Sequence, residues 1–490
     1  MIALAFVLAA LAQDSGSLEI SVAERGAPTA CRIHVRDAAG KPVKPAAYPS
    51  WNDHFVCDGA ATLDLKPGVY HVEVERGPEH GAFSQDMEIA SGAVKKLPVE
   101  LKRLADLSSQ GWWSGELHVH RPLKDIELLM RAEDLHVAPV ITWWNKKDLW
   151  EGKEIPALQV SFDKDRLYHV MAGEDEREGG ALMYYGLPRP LAIGAATREY
   201  PSPVTFLLEA KKTPGVHVDV EKPFWWDTPT WLATGKVDTV GIANNHMCRS
   251  LMHDKEAWGK PRPADRLPPP NGVGYWVQEI YCHALDCGLR VAPSAGSASG
   301  VLPNPVGYNR VYVHLDGELT YEKWFEGLRA GRSFVTNGPL LSVTANGKLP
   351  GEVFSADKGL TVELAVKLDG RDPMEAFEIV RDGKVVRTVP MKEAPGSLEF
   401  TSSGWFLVRC ISPNQKTFRF ASTAPFYVEI GASKSRISKS SATFFVDWVD
   451  ERMARIRQAV KDEKQLAEVL GPHLKAKEFW SDLMGRANAD

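Results

Sequence analysis

The spacing of apolar and polar positions changes along the chain, and each change predicts a different kind of structure. From residue 17 to residue 106, apolar and polar residues alternate over short runs such as Leu18–Val22 and Cys31–Val35. A period of two is typical of a half-buried β-strand. Turn pairs such as Asp58-Gly59 separate these runs. Evenly spaced strands without helical periodicity predict a small N-terminal β-sandwich.

Between residues 112 and 340 the pattern becomes one of strands alternating with helices. The candidate strands are Glu116–His120, Ala138–Thr142, Tyr168–Ala172, Gly215–Val220, Thr239–Ala243, Arg290–Pro293 and Arg310–His314. The candidate helices are Asp125–Leu135, Pro203–Lys212, Gly274–Cys287 and Tyr321–Ala330. Repeated alternation of this kind predicts a largely parallel sheet or a βα barrel.

Strands return between residues 341 and 432 and predict a second β-sandwich. Residues 441–490 form a helical tail, in which Phe445, Val449, Ile456 and Val460 share one apolar stripe. We expect this tail to pack on the protein itself rather than on a partner. The fold prediction is therefore multidomain, with a central distorted βα barrel between two β-sandwiches and a C-terminal helical tail.

Length and charge limit the possible functions. A chain of 490 residues exceeds what one hydrophobic core usually organises. The net charge of -5 provides no basic surface, which argues against nucleic acid as a partner.

Residues 1–12 are almost wholly apolar and end in Ala10-Leu11-Ala12, a cleavage pattern of signal peptides. No later segment reads as a membrane span, so we expect a secreted or periplasmic protein. In an oxidising compartment, Cys31 and Cys57 could form a disulfide.

The histidines of Glu116–His120 are the strongest candidates for chemistry. Alternating side chains of one strand would place His118 and His120 on the same side, about 6–7 Å apart along the backbone. Two neutral imidazoles held in this way provide half of a metal site. The strand also precedes a helix, and α/β folds place their chemistry at such strand ends. The alternative is a pair of polar residues on a solvated face.

Other polar residues also follow predicted strands. They are Glu174 and Asp175, Glu221 and Lys222, and Asn244, Asn245 and His246. Each alone could be an ordinary surface turn. Their shared position at strand ends predicts a common site.

At this point the chain resembles a known family, the PHP-type metallohydrolases of the CehA/McbA branch. The resemblance covers roughly residues 112–341. It is carried by Gly115-Glu116-Leu117-His118-Val119-His120, by Ala172-Gly173-Glu174, and by Gly331-Arg332-Ser333-Phe334-Val335-Thr336-Asn337-Gly338-Pro339. It implies a distorted barrel of about seven βα units, with one to three divalent metal ions at the carboxyl ends of its strands.

The chain also departs from the family pattern. Thr142-Trp143-Trp144-Asn145 stands where the family has Thr-Asp-His-Asn, and Lys222-Pro223 stands in place of a His-Pro. Gly296-Ser297-Ala298-Ser299-Gly300 replaces a closing Gly-Ser-Asp-x-His. Of the ligands that the resemblance implies, His118, His120 and Glu174 remain.

Three ligands of types N, N and O suffice, with a fourth, for one divalent ion such as zinc or manganese. His246 is the candidate fourth ligand because it directly follows its strand. His217 and Asp219 are further candidates for that position. Lys222 would take part of a second ion's charge or contact an anionic substrate, unless it is simply a surface lysine. Asp175 or Glu221 would act as general base. The prediction is a metal-dependent hydrolase of a small-molecule ester, phosphoester or carbamate with a reduced, mononuclear site.

Tryptophans favour a second hypothesis from another class. Trp143, Trp144, Trp225 and Trp226 lie at or just after predicted strand ends, where indole rings commonly bind substrates or sugars. The barrel could therefore be an inactive module that binds an extracellular glycan. A third possibility is that these residues only pack. The Gly/Ser loop 296–300 could bind phosphate through its backbone N–H groups, or could be a simple turn.

Overall fold

The computed structural model describes residues 15–414 and 416–490, and it shows a multidomain, mostly β protein. The predicted signal segment 1–12 lies outside the described residues. The N-terminal unit consists of β1 (Gly16–Glu24), β2 (Ala27–Pro28), β3 (Ala30–Asp37), β4 (Ser50–Trp51), β5 (His54–Asp58), β6 (Ala60–Leu65), β7 (Gly68–Glu75), β8 (Phe83–Ile89) and β9 (Val94–Glu100).

The N-terminal strands form two sheets with a common core, as the alternating pattern predicts. One sheet contains β1, β2, β6 and β9, and the other contains β3, β4, β5, β7 and β8. Apolar residues of both sheets, Leu18 and Ile20 of β1 and Ile33 and Val35 of β3 among them, belong to one buried cluster. Cys31 lies directly opposite Cys57, with the two Sγ atoms 3.7 Å apart as thiols.

The central unit combines strands and helices. Its strands are β10 (Trp112–Gly115), β11 (Val137–Trp144), β12 (Lys147–Asp148), β13 (Gln159–Phe162), β14 (Arg166–Arg177), β15 (Gly180–Tyr185), β16 (His217–Val220), β17 (Thr239–Ala243), β18 (Ala292–Ala295), β19 (Arg310–His314) and β20 (Ser333–Thr336). Its α-helices are α1 (Ile126–Glu133), α2 (Pro203–Ala210), α3 (Thr228–Ala233), α4 (Gly272–Asp286) and α5 (Tyr321–Arg329). Short 3₁₀ helices cover Ser108–Gln110 and Leu123–Asp125.

Strand pairing in the central unit is mixed. β11 pairs in parallel with β10 and β14, and β17 pairs in parallel with β16 and β18. β14 and β15 form an antiparallel hairpin, and β15 is also antiparallel to β16. The predicted helices and most of the predicted strands are present within a few residues of their expected bounds. The hairpin strand β15 was missed because its sequence is apolar at every position, without a period of two.

Two predictions for this unit need correction. Residues 116–120 are not a strand; they form an irregular segment with a bend at Leu117, in which only Val119 makes β-bridges, to Val140 and Ser299. A closed barrel is also not seen among the described residues. The segment 116–120 contacts β11 and the residues after β18 through separate backbone hydrogen bonds, such as His120 N–H to Ser299 O at 2.8 Å, rather than through continuous ladders.

The C-terminal unit is again made of strands, as predicted, followed by two helices. Its strands are β21 (Leu340–Ala345), β22 (Val353–Ala356), β23 (Leu360–Asp369), β24 (Ala376–Arg381), β25 (Lys384–Pro390), β26 (Ser397–Phe400), β27 (Gly404–Ile411), β28 (Phe420–Thr423) and β29 (Phe426–Ile430). The tail helices are α6 (Lys439–Ala459) and α7 (Glu463–Gly485). No helix in the described part of the chain has the length and apolar character to span a membrane.

The helical tail packs on the central unit. Phe445 of α6 stacks on Trp480 of α7 with ring centroids 4.3 Å apart. The indole N–H of Trp480 donates to the carbonyl oxygen of Pro229 in α3 at 3.0 Å. The apolar stripe of α6 is therefore buried against the protein itself, in agreement with the sequence pattern.

Candidate metal centre

Three side chains predicted from the sequence as metal ligands converge on one point. The Nε2 atoms of His118 and His120 lie 3.0 Å apart. Oε2 of Glu174 lies 3.6 Å from Nε2 of His118 and 3.2 Å from Nε2 of His120. All three side chains are almost completely buried.

The spacing of these three atoms fits the coordination shell of a small divalent ion. Ligand atoms about 2.05 Å from a tetrahedral zinc ion lie about 3.3 Å from one another. The three separations of 3.0, 3.2 and 3.6 Å bracket that value. These residues could therefore hold a metal ion without a large rearrangement.

Close contact with the loop 296–300 positions the histidine segment. A Cβ atom on Gly296 would lie 2.5 Å from Cβ of His118, and a Cβ atom on Gly300 would collide with the carbonyl oxygen of His120. Gly300 also has a φ of +101°, which disfavours other residues. Ser297 N–H donates to Oε1 of Glu116 at 2.6 Å. Backbone groups of this Gly/Ser loop thus form hydrogen bonds with the histidine segment, and its two glycines allow the close approach.

Strand β14 contributes the carboxylate. Alternation along the strand places Glu174 and Glu176 on one face and Asp175 on the other. Asp175 is fully buried and accepts two hydrogen bonds from Arg177, at 2.6 and 2.8 Å. Asp175 therefore points away from the three potential ligands and is paired with Arg177. It is not positioned to act as the general base that the sequence predicted.

Glu221 occupies a different position from the one expected of a general base. Its Oε1 lies 3.4 Å from Nδ1 of His118, the nitrogen on the far side of the ring from Glu174. Its Oε2 accepts from Lys222 Nζ and from the indole N–H of Trp225, the latter at 3.2 Å. At 3.4 Å, the approach of Oε1 to Nδ1 of His118 is a charge contact, and neither of these two atoms has a hydrogen-bond partner among the described residues.

The electrostatics of the centre are dominated by buried carboxylates. Burial opposes the imidazolium form of His118, yet Glu174 and Glu221 raise the pKa of His118 to about 10. Burial lowers the pKa of His120. Burial would raise the pKa of Glu221, but Lys222 and His118 lower it to about 2, and His118 holds the pKa of Glu174 well below its usual range. The negative charges of Glu174 and Glu221 thus face two positive charges, those of His118 and Lys222.

His246 is not brought into the group of three ligand atoms. Its ring packs against Phe224 and His253, with centroids 5.6 and 5.7 Å away. Burial and then the ammonium of Lys222 lower its pKa to about 3. The reserve candidates are also engaged elsewhere. His217 Nε2 lies 2.7 Å from the hydroxyl of Thr239, which itself donates to Asp219 at 2.6 Å.

The predicted tryptophan platforms are mostly core residues. Trp143 is 1% exposed, stacks on Tyr184 and fills the space left by Gly173. Trp225 is also 1% exposed, and Trp226 is 5% exposed. Trp144 contacts the site, with its ring 5.0 Å from that of His120 in an edge-on arrangement.

A cavity that the sequence did not predict lies at the carboxyl end of β14, where Asp175, Glu176 and Arg177 contribute to its lining. It has a volume of about 310 Å³ and is lined in part by Asn145, Glu176 and Trp258. Trp258 is 45% exposed and stacks on Trp225 at 5.6 Å. Glu176 shares a strand face with Glu174, and burial followed by the charge of Glu174 raises its pKa to about 7. The spacing Glu174-x-Glu176 could have predicted from the sequence that Glu176 lies on the same strand face as Glu174.

A second group of three potential ligands was also not foreseen from the sequence. His34, Asp53 and His54 lie in the N-terminal unit, with histidine Nδ1 atoms 3.4 and 3.3 Å from the Asp53 carboxylate. Arg32 Nε–H donates to Nε2 of His34 at 3.1 Å, which fixes the proton of His34 on Nδ1. Arg36 already donates to Asp53 at 2.7 Å. A protonated nitrogen and two neighbouring guanidinium groups make this group a poor metal site.

Comparisons with known proteins assign no family. No family model and no curated protein matches the chain. Among solved structures, the chain is similar to the minor pilin GBS52 of Streptococcus agalactiae, with 17% identity over 19% of this chain and 47% of the pilin and a TM-score of 0.16. It is also similar to fibronectin(III)-like modules of Clostridium thermocellum CbhA (18% identity, 18% of this chain and 94% of that chain, TM-score 0.14). A four-domain immunoglobulin fragment of Dscam1 isoform 8.4 gives 8% identity, 84% and 72% coverage and a TM-score of 0.13. The chain thus spans less than half of the pilin, and none of these likenesses assigns a function.

Proposed function

We propose that the protein is a metal-dependent hydrolase with one divalent ion, zinc or manganese, held by His118, His120 and Glu174. The single observation that carries the proposal is the convergence of their three ligand atoms within 3.6 Å of one another. The motif resemblance to the PHP-type metallohydrolases, which predicted these same three residues, supports it. We place the protein in that group as a secreted member with a reduced ligand set.

The chemistry that the ion would supply is Lewis acidity and a water of lowered pKa. The chain's own residues arrange the centre. Glu221, with Oε1 3.4 Å from Nδ1 of His118, is the group placed to favour a proton on that nitrogen when Nε2 binds the ion. Lys222 pairs with Glu221 and lies with its Nζ 4.5 Å from the centre of the Trp225 ring, so both charges of this pair stay buried and fixed.

The position of Glu176 suits proton transfer. It follows Glu174 by two residues on the same strand face and also lines the cavity. No ion pair to its carboxylate is found among the described residues. We therefore assign to Glu176, rather than to Asp175 or Glu221, the role of accepting a proton from water or donating one to a leaving group.

The cavity indicates the size and class of the substrate. A volume of about 310 Å³ lies at the lower end of the range for small-molecule sites. The exposed Trp258 ring offers one flat apolar face, and Lys146 and Arg198 offer positive charge at the rim. These features support an ester, phosphoester or carbamate of a small molecule as substrate.

The experiment that tests this function is a hydrolysis screen with the metal-loaded full-length chain. Nitrophenyl esters, phosphoesters and carbamates serve as substrates, and Glu176→Gln and Glu151→Gln serve as matched variants. Glu151 is an exposed glutamate of the same unit that does not line the cavity. We expect turnover of at least one class, a loss of about 10²- to 10⁴-fold in kcat for Glu176→Gln, and little change for Glu151→Gln. Absence of turnover by the metal-loaded chain in all three classes would contradict the proposal.

A further inference from the structure

The three units of the protein meet at a cluster of buried arginines outside the candidate metal centre. The cluster surrounds a small internal cavity and receives one arginine from the N-terminal unit, two from the central unit and two from the C-terminal unit. These residues are Arg32, Arg249, Arg310, Arg371 and Arg419.

The carboxylates at this junction do not balance the arginines. Arg32 forms ion pairs with Glu75 and Glu133. Arg249 and Arg371 also form ion pairs with Glu75. The remaining partners are Glu73, which pairs with Arg249, and Asp372, which pairs with Arg419. Five guanidinium groups thus share four carboxylates among the described residues, which leaves one positive charge in excess.

Arg310 carries the excess charge. It is 1% exposed and makes no ion pair within the described chain. Its Nε donates to the carbonyl oxygen of Gly307 at 2.6 Å, and its Nη2 donates to that of Glu133 at 3.0 Å. Its Nη1 is buried without a hydrogen-bond partner. The charge of Arg310 interacts with the nearby Glu133 and Glu79 carboxyl groups, but a guanidinium N–H without a hydrogen bond in the interior is still costly.

The cavity beside Arg310 has the size of one small ion. Its volume is about 20 Å³, close to the volume of roughly 10–15 Å³ that holds a single water molecule. A chloride ion is larger than a water molecule but comparable in volume with this cavity, whereas phosphate or sulfate would need more space than it offers. We propose that the junction is a binding site for one small monovalent anion, chloride in the first instance, bound through Nη1 of Arg310.

An anion at this point ties the three units together. Its binding stabilises the assembled protein, because the arginines that surround it come together only when the units are docked. Hydrogen bonds to Glu116 also link this site to the candidate metal centre. Gly307 lines the cavity, and its backbone N–H donates to Glu116, whose other oxygen accepts from Ser297 in the loop behind His118.

The test is thermal unfolding of the full-length chain at constant ionic strength, with sodium gluconate replaced stepwise by sodium chloride or bromide. A ligand that binds only the folded state raises Tm with the logarithm of its concentration. We expect a rise of about 2 °C per tenfold increase in chloride once the site is populated. Equal Tm values in gluconate and chloride would overturn the proposal.

Variants separate this site from general salt effects. Arg310→Met removes the binding group, and we expect its Tm to be independent of chloride. If Arg310→Met does not fold, Arg371→Gln serves instead, because it removes one positive charge whose only carboxylate partner, Glu75, keeps two other arginines. Arg486→Gln, an exposed arginine of the tail region, is the matched control and should keep the wild-type dependence. The same chloride dependence in all variants would assign the effect to bulk salt and contradict the site.

Discussion

At the scale of single residues, the candidate metal centre consists of three buried side chains whose potential ligand atoms converge. His118, His120 and Glu174 were found from a short motif, and the structure brings their ligand atoms together. His246 was chosen only because it follows a strand. A strand end fixes the edge of the sheet on which a residue lies, but the direction of the side chain depends on the turn that follows. The backbone N–H of His246 donates to Asn244 at 3.1 Å in such a turn.

Glu221 shows a related limit of sequence reasoning. A carboxylate near a metal site can be a base, a ligand or an orienting group, and the sequence does not distinguish these roles. Its Oε1 lies 3.4 Å from Nδ1 of His118, on the far side of the ring from Glu174, and this position favours an orienting role.

This role gives a prediction for Glu221→Gln. The amide cannot hold the Nδ1 proton of His118 as a carboxylate does, so metal affinity should fall by about 10- to 100-fold while the ligands remain. Competition with a chromogenic chelator measures this affinity. Glu178→Gln, which lies on the cavity wall, is the control and should bind metal as the wild type does. Unchanged affinity in Glu221→Gln would show that Glu221 does not orient His118.

At the scale of elements, the period of apolar positions located the strands and helices but not their pairing. The predicted strands 239–243 and 310–314 match β17 and β19. The predicted strand 116–120 was displaced, because β10 ends at Gly115 and the following residues run against the loop 296–300. Pairing between residues about 180 positions apart leaves no local signal in either segment.

The close packing of this loop predicts the effect of Gly296→Ala. The added methyl group would meet Cβ of His118 at 2.5 Å, and we expect a loss of about 1–3 kcal/mol in stability together with weaker metal binding. Thermal unfolding with and without metal measures both effects.

Gly485→Ala is the control for that change. Gly485 lies at the end of α7 with open space around its Cβ position, so alanine should slightly stabilise the helix. A Gly296→Ala variant as stable and as tight a metal binder as wild type would mean that the loop is not pressed against His118.

At the scale of the whole molecule, composition and pattern predicted several domains and a tail that packs on the protein. They did not predict how the units are joined, because the contacts are made by charged residues from distant parts of the chain. Arg452 of α6 is 2% exposed and donates to Glu199 at 3.0 and 2.6 Å and to Asp227 at 2.6 Å. Each of these residues alone would be read as a surface residue from the sequence.

The buried position of Arg452 predicts a large effect of its removal. Arg452→Met leaves two buried carboxylates without their cation and should cost about 3–5 kcal/mol, seen as a lower Tm. Arg486→Met removes an exposed i,i+4 ion pair with Asp482 and should change stability by less than about 0.5 kcal/mol. Similar Tm values for the two variants would contradict the docking of the tail through Arg452.

The most direct test of the central claim is the metal content of the purified full-length chain by elemental mass spectrometry. We predict close to one equivalent of divalent metal after loading with zinc or manganese and dialysis. The double variant His118→Ala/His120→Ala should retain none, whereas His54→Ala, which alters the second histidine-aspartate group, should retain the full equivalent. A well-folded wild-type chain without metal, or a loss of metal in His54→Ala but not in the double variant, would contradict the account.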